Sequence, residues 1–233
     1  AINQTGRMAA HSAFDKAGVN VYFTLCDYEG GSTDFRCEIY SAIVEADGKW
    51  GTPKRLPLND AKATNTQPVV GVDPATDNPF LYFVSDREGG FGQTDIYSVS
   101  INEDGSYGEP KNLGDLINTE GREMFPFVSA DSNELLFTRK VNNIDDELFK
   151  AQRDTCGFWL RAKNEGYPIN SPDAELYQSY SADGHYQFIT RCDTRSENGW
   201  SLGACDLLMA YRSDSFWTVP ESFGGTINTT DYE

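Results

Sequence analysis

The sequence predicts an all-β protein of the β-propeller class, and three observations carry that prediction. A dipeptide of an aliphatic residue and Asn recurs at Ile2-Asn3, Leu58-Asn59, Ile117-Asn118, Ile169-Asn170 and Ile227-Asn228, roughly every 57 residues. Between these marks lie short runs, alternating or apolar and bounded by turn formers, which is the pattern of strands. No segment sustains the period of an amphipathic helix. A period of about 40 to 60 residues made of short strands belongs to propeller blades, each too small to hide its apolar faces without a neighbour.

Taken in order, the repeats divide the 233 residues into 1–59, 60–118, 119–170 and 171–228, with 229–233 opening a further one. Four blades of four antiparallel strands are therefore expected, as part of a larger ring and of a longer array. The third repeat shows the plan: strands at 124–129, 135–139 and 147–152, and a fourth at 158–160. The other repeats align on the same landmarks. Turn aspartates fall at Asp15, Asp73, Asp131 and Asp183, and second-strand triplets begin at Val21, Leu81, Leu135 and Tyr186. Third strands open at Glu38, Asp95, Glu147 and Asp206. Trp50, Tyr107, Trp159 and Trp217 anchor the fourth strands, with Pro53, Pro110 and Pro220 following.

The composition narrows the partners. With 19 Lys+Arg against 36 Asp+Glu the net charge is −17, which repels a phosphate backbone and an anionic membrane. Aromatic residues make up 13%, ample for packing between blades. No apolar run has the length of a transmembrane helix. No signal peptide is present, so Ala1 reads as a mature or truncated start. Cations, neutral glycans, peptides and proteins remain.

Four of the five cysteines are placed equivalently. Cys26 ends a second strand and Cys37 begins the third, while Cys192 and Cys205 do the same in the fourth repeat. Neighbouring antiparallel strands bring such positions within disulfide reach. Each bridge would contribute about 2–3 kcal/mol by closing a short loop, and would place the protein in an oxidising compartment. Zinc is disfavoured by the absence of a C-x₂-C pair and by the presence of only His11 and His185. Cys156 is expected to be a buried thiol.

Residues 81–97 (LYFVSDREGGFGQTDIY) resemble the WD40-like repeat of TolB-type propellers, and more narrowly the version in envelope proteins of Bacteroidetes-type bacteria. The Ser181–Gly184 turn before Tyr186 fits the same pattern. The resemblance extends over the whole chain, although the third repeat lacks the loop glycines and has Asn142 to Glu147 instead. It implies binding or assembly in the periplasm or at the outer membrane. Such propellers accompany OmpA-like peptidoglycan-binding domains or serve type IX secretion and gliding.

Loops between second and third strands share one face, at 27–36, 86–94, 140–146 and 193–204. Asp27, Asp34, Asp86, Arg87, Asp95 and Asp193 are the candidate binding residues there. Asp86 and Asp95 are also the calcium candidates, but the loop lacks alternating carboxylates and Arg87 competes for them. The preferred reading has both aspartates bonding loop amides and pairing with Arg87, with no metal or cofactor.

Nucleophilic catalysis finds no G-x-S-x-G elbow and no group to orient either histidine. His11 falls in a first strand at the place of Phe127. Among first strands only Glu175 is acidic, with Glu123 and Asp173 just outside. The expectation is a non-enzymatic interaction scaffold of an exported envelope protein, with a protein partner. The alternative is a carbohydrate-active enzyme or glycan-binding propeller using carboxylates near the central channel.

Overall fold

A computed structural model describes residues 6–27, 36–142, 145–192, 205–214 and 216–229. It shows four antiparallel blades of a β-propeller and, among the described residues, one 3₁₀ turn at Gly224–Thr226. The first blade is β1 (Arg7–Phe14), β2 (Asn20–Asp27), β3 (Arg36–Ile43) and β4 (Lys54–Arg55). The second is β5 (Asn65–Val72), β6 (Pro79–Ser85), β7 (Asp95–Ser100) and β8 (Lys111–Asn112). The third is β9 (Glu123–Val128), β10 (Glu134–Val141), β11 (Asp145–Gln152) and β12 (Lys163–Asn164). The fourth is β13 (Ala174–Tyr180), β14 (Tyr186–Cys192), β15 (Cys205–Ser213) and β16 (Phe216–Trp217), with β17 (Glu221–Ser222) also on β15.

The chain forms two compact units, Ala1–Pro126 and Phe127–Glu233. In the first, Tyr22, Ile39, Leu56 and Leu58 of one blade pack on Leu81, Phe83, Tyr97 and Val99 of the next. In the second, Leu148 and Ile169 pack on Ile189, Ala210 and the partly buried Trp217. Second strands such as β2 and β6 are buried on both faces, which is why their sequences run apolar without alternation.

The repeated Asn is a backbone clamp. Asn118 Oδ1 accepts the Ile96 amide at 2.9 Å while its Nδ2 donates to the Ile96 carbonyl at 2.9 Å. Asn59 treats Ile39 in the same way, Asn170 treats Leu148, and Asn228 treats Leu207. A carboxamide has a donor and an acceptor side by side, so it continues the ladder beside the third strand where the main chain has turned away. The aliphatic residue before it closes the blade's core: Leu58, Ile117 and Ile169 are 5%, 0% and 1% exposed.

Two alignments are corrected. The aromatics Trp50, Tyr107 and Trp159 make only isolated bridges, to Val44, Ile101 and Arg153. The fourth strands proper lie four residues later, at Lys54, Lys111 and Lys163, after the chain has bulged away from the sheet edge. In the fourth blade the second-strand triplet begins at Gln187, not Tyr186. Gln187 pairs with Ala210 as Leu135 pairs with Ala151, leaving Tyr186 exposed and Gln187 buried. The turn there is one residue longer than the triplet alignment allowed.

The first strands carry bulges, between Ala10 and Ala13, between Thr66 and Val69, and between Glu175 and Gln178. His11 occupies the bulge at φ 48° and Phe125 has φ 52°, so His11 corresponds to Phe125, not Phe127. Their rings lie 5.9 Å apart. Burial pushes the His11 imidazole below its ordinary pKa.

Candidate functional site

The described part of the loop face is held by internal bonds. Asp27 pairs with Arg7 at 2.6 Å. Asp86 Oδ1 accepts the Thr64 amide, and Asp95 Oδ2 accepts the Phe91 amide and the Asn112 side chain. Asp34 and Asp193 lie outside the described residues. Gly90 and Gly92 are glycines because space demands it. A Cβ at Gly92 would collide with the carbonyls of Thr119 and Gly121, and one at Gly90 with Asp95.

Arg87 does not pair with either aspartate. Its guanidinium stacks on Phe83 and Tyr97 at 5.0 and 4.9 Å and donates to Ser85 Oγ, Asn65 Oδ1 and the Leu58 carbonyl. The apolar ring faces and the neutral acceptors beneath them draw the side chain inward. Burial accordingly pulls its pKa down. Arg191 takes the same post in the fourth blade, donating to Glu175 Oε1 at 2.7 Å and to the Ile169 carbonyl at 2.9 Å.

The first-strand carboxylates are likewise structural. Glu123, placed by the structure inside β9, accepts from the Thr119 amide and hydroxyl, and Glu175 from the Ser171 amide and hydroxyl. Both are fully buried. Burial raises the Glu175 carboxyl to about 7, against the downward pull of Ser171 and Arg191. Among the described residues no group of three or more His, Cys, Asp or Glu is arranged to hold a metal ion.

The site with chemical potential lies at the other end of the strands, in the second unit. A cleft of about 610 Å³ opens between the third and fourth blades, among the turns that carry Asp131 and Asp183. Both aspartates organise their turns, Asp131 accepting from Ser129 Oγ and the Asn133 amide, Asp183 from Ser181 Oγ and the His185 amide.

Arg153, Arg212, Gln152, Tyr180 and Glu134 complete the wall. Arg153 lies 4.1 Å above the Trp159 ring and donates to the carbonyls of Ser132 and Gly157. Arg212 lies 5.9 Å from the Trp217 centroid. Tyr180 is set between Phe127 and Trp217, and burial raises its phenol, with Glu165 and Glu134 adding to the shift.

Glu134 Oε1 accepts from Gln152 at 2.9 Å and stands 3.6 Å from the Lys150 ammonium. Behind it is Glu165, whose Oε1 is buried with no hydrogen-bond partner among the described residues. Its backbone amide donates to the Leu148 carbonyl, the post that Leu56, Leu113 and Phe223 hold in the other blades. Burial raises this carboxyl, Lys150 opposes the rise and Glu134 reinforces it.

Sequence reasoning placed the site at the loop face and missed Glu134, Lys150, Gln152, Arg153, Glu165, Tyr180 and Arg212. A signal was present, since Glu165 breaks an apolar position of the repeat. It becomes visible only once the fourth strands are aligned on Lys54, Lys111 and Lys163.

The disulfides Cys26–Cys37 and Cys192–Cys205 join directly opposed residues of β2/β3 and β14/β15. They fit an exported, non-cytoplasmic protein. Cys156 is exposed, contrary to expectation, because it sits at the tip of a turn whose amides bond Asp154. No helix among the described residues is long and apolar enough to cross a membrane.

No protein-family model matches the chain, and no curated protein matches it. Solved structures do. A Hadza microbial sialidase is 12% identical with a TM-score of 0.58, over 92% of this chain and 46% of its own. An exo-β-1,3-galactanase from Clostridium thermocellum is 14% identical with a TM-score of 0.56, over 95% of this chain and 50% of its own. A TolB-like protein of Agrobacterium tumefaciens is 13% identical with a TM-score of 0.50, over 99% of this chain and 87% of its own.

This chain thus spans about half the length of the sialidase and the galactanase. At such identities the likeness establishes the fold, and the TolB-type resemblance holds at that level. The expectation of a non-enzymatic domain is corrected by the same finding. In the sialidase and the galactanase this fold carries a glycan hydrolase, so the propeller class gives no ground against catalysis.

Proposed function

We propose that the chain is a glycan-active propeller of an exported bacterial envelope protein, which seats a saccharide in the cleft of the second unit and hydrolyses a glycosidic bond there. The observation that carries this reading is the cleft itself, where charged, amide and phenolic groups converge between two blades. A sugar presents hydroxyls that donate and accept, and fixed carboxylates, an amide and a guanidinium held on a tryptophan answer both. Glycoside hydrolysis needs two carboxyls in unlike environments, one retaining its proton and one ionised. Glu165, raised by burial, lines the adjoining pocket and is the proton donor of this scheme. Glu134, which lines the cleft and faces Lys150 and Gln152, is its second carboxyl.

Release of reducing ends from a polysaccharide panel tests the reading. Glu134→Gln and Glu165→Gln should each lower turnover by about 100-fold or more while saccharide binding persists. A wild-type protein that neither retains nor cleaves any glycan sinks it.

A second reading, a protein partner in the envelope such as a secretion or gliding assembly, draws on a different surface. Tyr186, Tyr211 and Phe216 share one face of β14–β16 and are 41%, 51% and 78% exposed. Affinity isolation from envelope extract should retain a protein that Phe216→Asp releases. Equal retention by both forms removes this reading.

A further inference from the structure

Two departures from the repeat meet at one small pocket beside the cleft. The first is Glu165, at a post apolar in the other three blades. The second is Lys150, which faces Lys163 directly across β11 and β12. The equivalent pairs elsewhere are Ser41 with Lys54, Ser98 with Lys111, and Met209 with Glu221. Like charges directly opposed across strands work against the sheet. A repeat protein that avoids this pairing in its first, second and fourth blades and adopts it in the third has placed positive charge there at the expense of stability.

The pocket that results holds about 250 Å³ and is lined by Lys150, Arg161, Lys163, Gln152 and Glu165, with Leu160 and Asn164. Three cations and one carboxyl line it, with Glu134 standing 3.6 Å from the Lys150 ammonium, in a chain whose total is 19 cations against 36 acids. Gln152 lines both this pocket and the cleft, so the two adjoin at that side chain.

We infer that the glycan is anionic, and that an acidic substituent of it is seated in the pocket of Lys150, Arg161 and Lys163 while the neutral part of the chain occupies the cleft. This rests on the glycan reading and names its substrate class. Lysine and arginine hold a carboxylate or sulfate by charge-assisted hydrogen bonds, which are stronger in a concave site than on open surface. Burial raises the Glu165 carboxyl, which lessens its repulsion of an anion; Glu134, Lys150 and Tyr180 face it from β10, β11 and β13. The net negative charge of the protein repels polyanions, so an acidic group is drawn to this local concentration of cations.

The test compares a neutral galactan, its sulfated form and polygalacturonate, against wild type, Lys163→Ser and Arg161→Ser. Wild type should bind one of the acidic polymers at least about tenfold more tightly than the neutral one at low salt, with the preference fading as salt rises. The arm that binds, sulfated or uronic, identifies the acidic group. Each substitution should erase the preference and leave binding and cleavage of the neutral polymer intact. Lys163 lies on a two-residue edge strand, and a melting temperature no lower than that of the wild type excludes misfolding. A wild type that prefers the neutral polymer overturns the inference but not the function beneath it. An acidic preference untouched by both substitutions overturns the pocket assignment. Failure of all three polymers to bind or react overturns the underlying function, and this inference with it.

Discussion

The second and third blades place the same backbone under different side chains. Asn118 clamps Ile96 in one and Asn170 clamps Leu148 in the other, with nearly equal distances. Beside those clamps the second blade has Leu113 and a Ser98–Lys111 pair, while the third has Glu165 and a Lys150–Lys163 pair. The contrast teaches that the clamp carries the blade without help from the neighbouring side chains. Because main-chain and carboxamide groups hold the edge, the third blade can present a half-buried carboxyl and two ammonium groups and still fold.

The largest effect belongs to the charged counterpart of a neutral latch. Arg191→Met strands Glu175 in the interior, so it should cost about 4 kcal/mol, the range found when one partner of a buried ion pair is removed. Arg87→Met, whose acceptor is the neutral Asn65, should cost about 1–2 kcal/mol. Urea denaturation of both variants checks the gap, and equal costs would mean that Glu175 is held neutral by its other contacts.

The next effect tests the clamp itself. Asn118→Ala and Asn170→Ala each leave a buried amide and carbonyl unpaired, which should cost about 3 kcal/mol in either blade. A silent substitution in one blade would break the comparison at its root.

Glu165→Leu, which restores the residue type of the first and second blades, should stabilise the protein by about 1–2 kcal/mol at neutral pH. The sign follows from linkage. A carboxyl raised above its ordinary 4.5 binds its proton more tightly folded than unfolded, so its contribution is lost as pH rises through the raised value. The gain from Glu165→Leu should therefore be least below pH 4.5, grow as pH rises through the raised value, and level off above it. Thermal unfolding across that range reads it, and a pH-independent gain would point to packing alone.

The smallest effect concerns the opposed lysines. Lys163→Ser should stabilise by about 0.5 kcal/mol at low ionic strength and by less in salt. Lys111→Ser, opposite Ser98, should show no such salt dependence. Parallel denaturation at two salt concentrations distinguishes them.

What was legible beforehand is short-range. The Leu58-Asn59 type of mark, the turn aspartates and the paired cysteines declare themselves by residue type and spacing, and they were enough for blades and disulfides. The use of the Asn was not legible, because its partner lies about twenty residues back on a strand that comes alongside only when the blade closes. Arg87 looked like a competitor for Asp86 and Asp95 because sequence neighbours are easy to pair, whereas two ring faces and a carbonyl from the preceding repeat claim it. The one-residue displacement at Tyr186 escaped because an apolar triplet reads alike in either register until β15 opposes it.

By itself the order of residues determined the period and the first three strands of each blade, since each depends on chemistry within a few positions. Only the tertiary structure decided that Glu134, Gln152, Tyr180 and Arg212, from four strands of two blades, would share one cleft. It also decided that Glu165 would be half-buried in the adjoining pocket. Such convergence depends on how one blade's face packs on the next, and no local pattern encodes that distance.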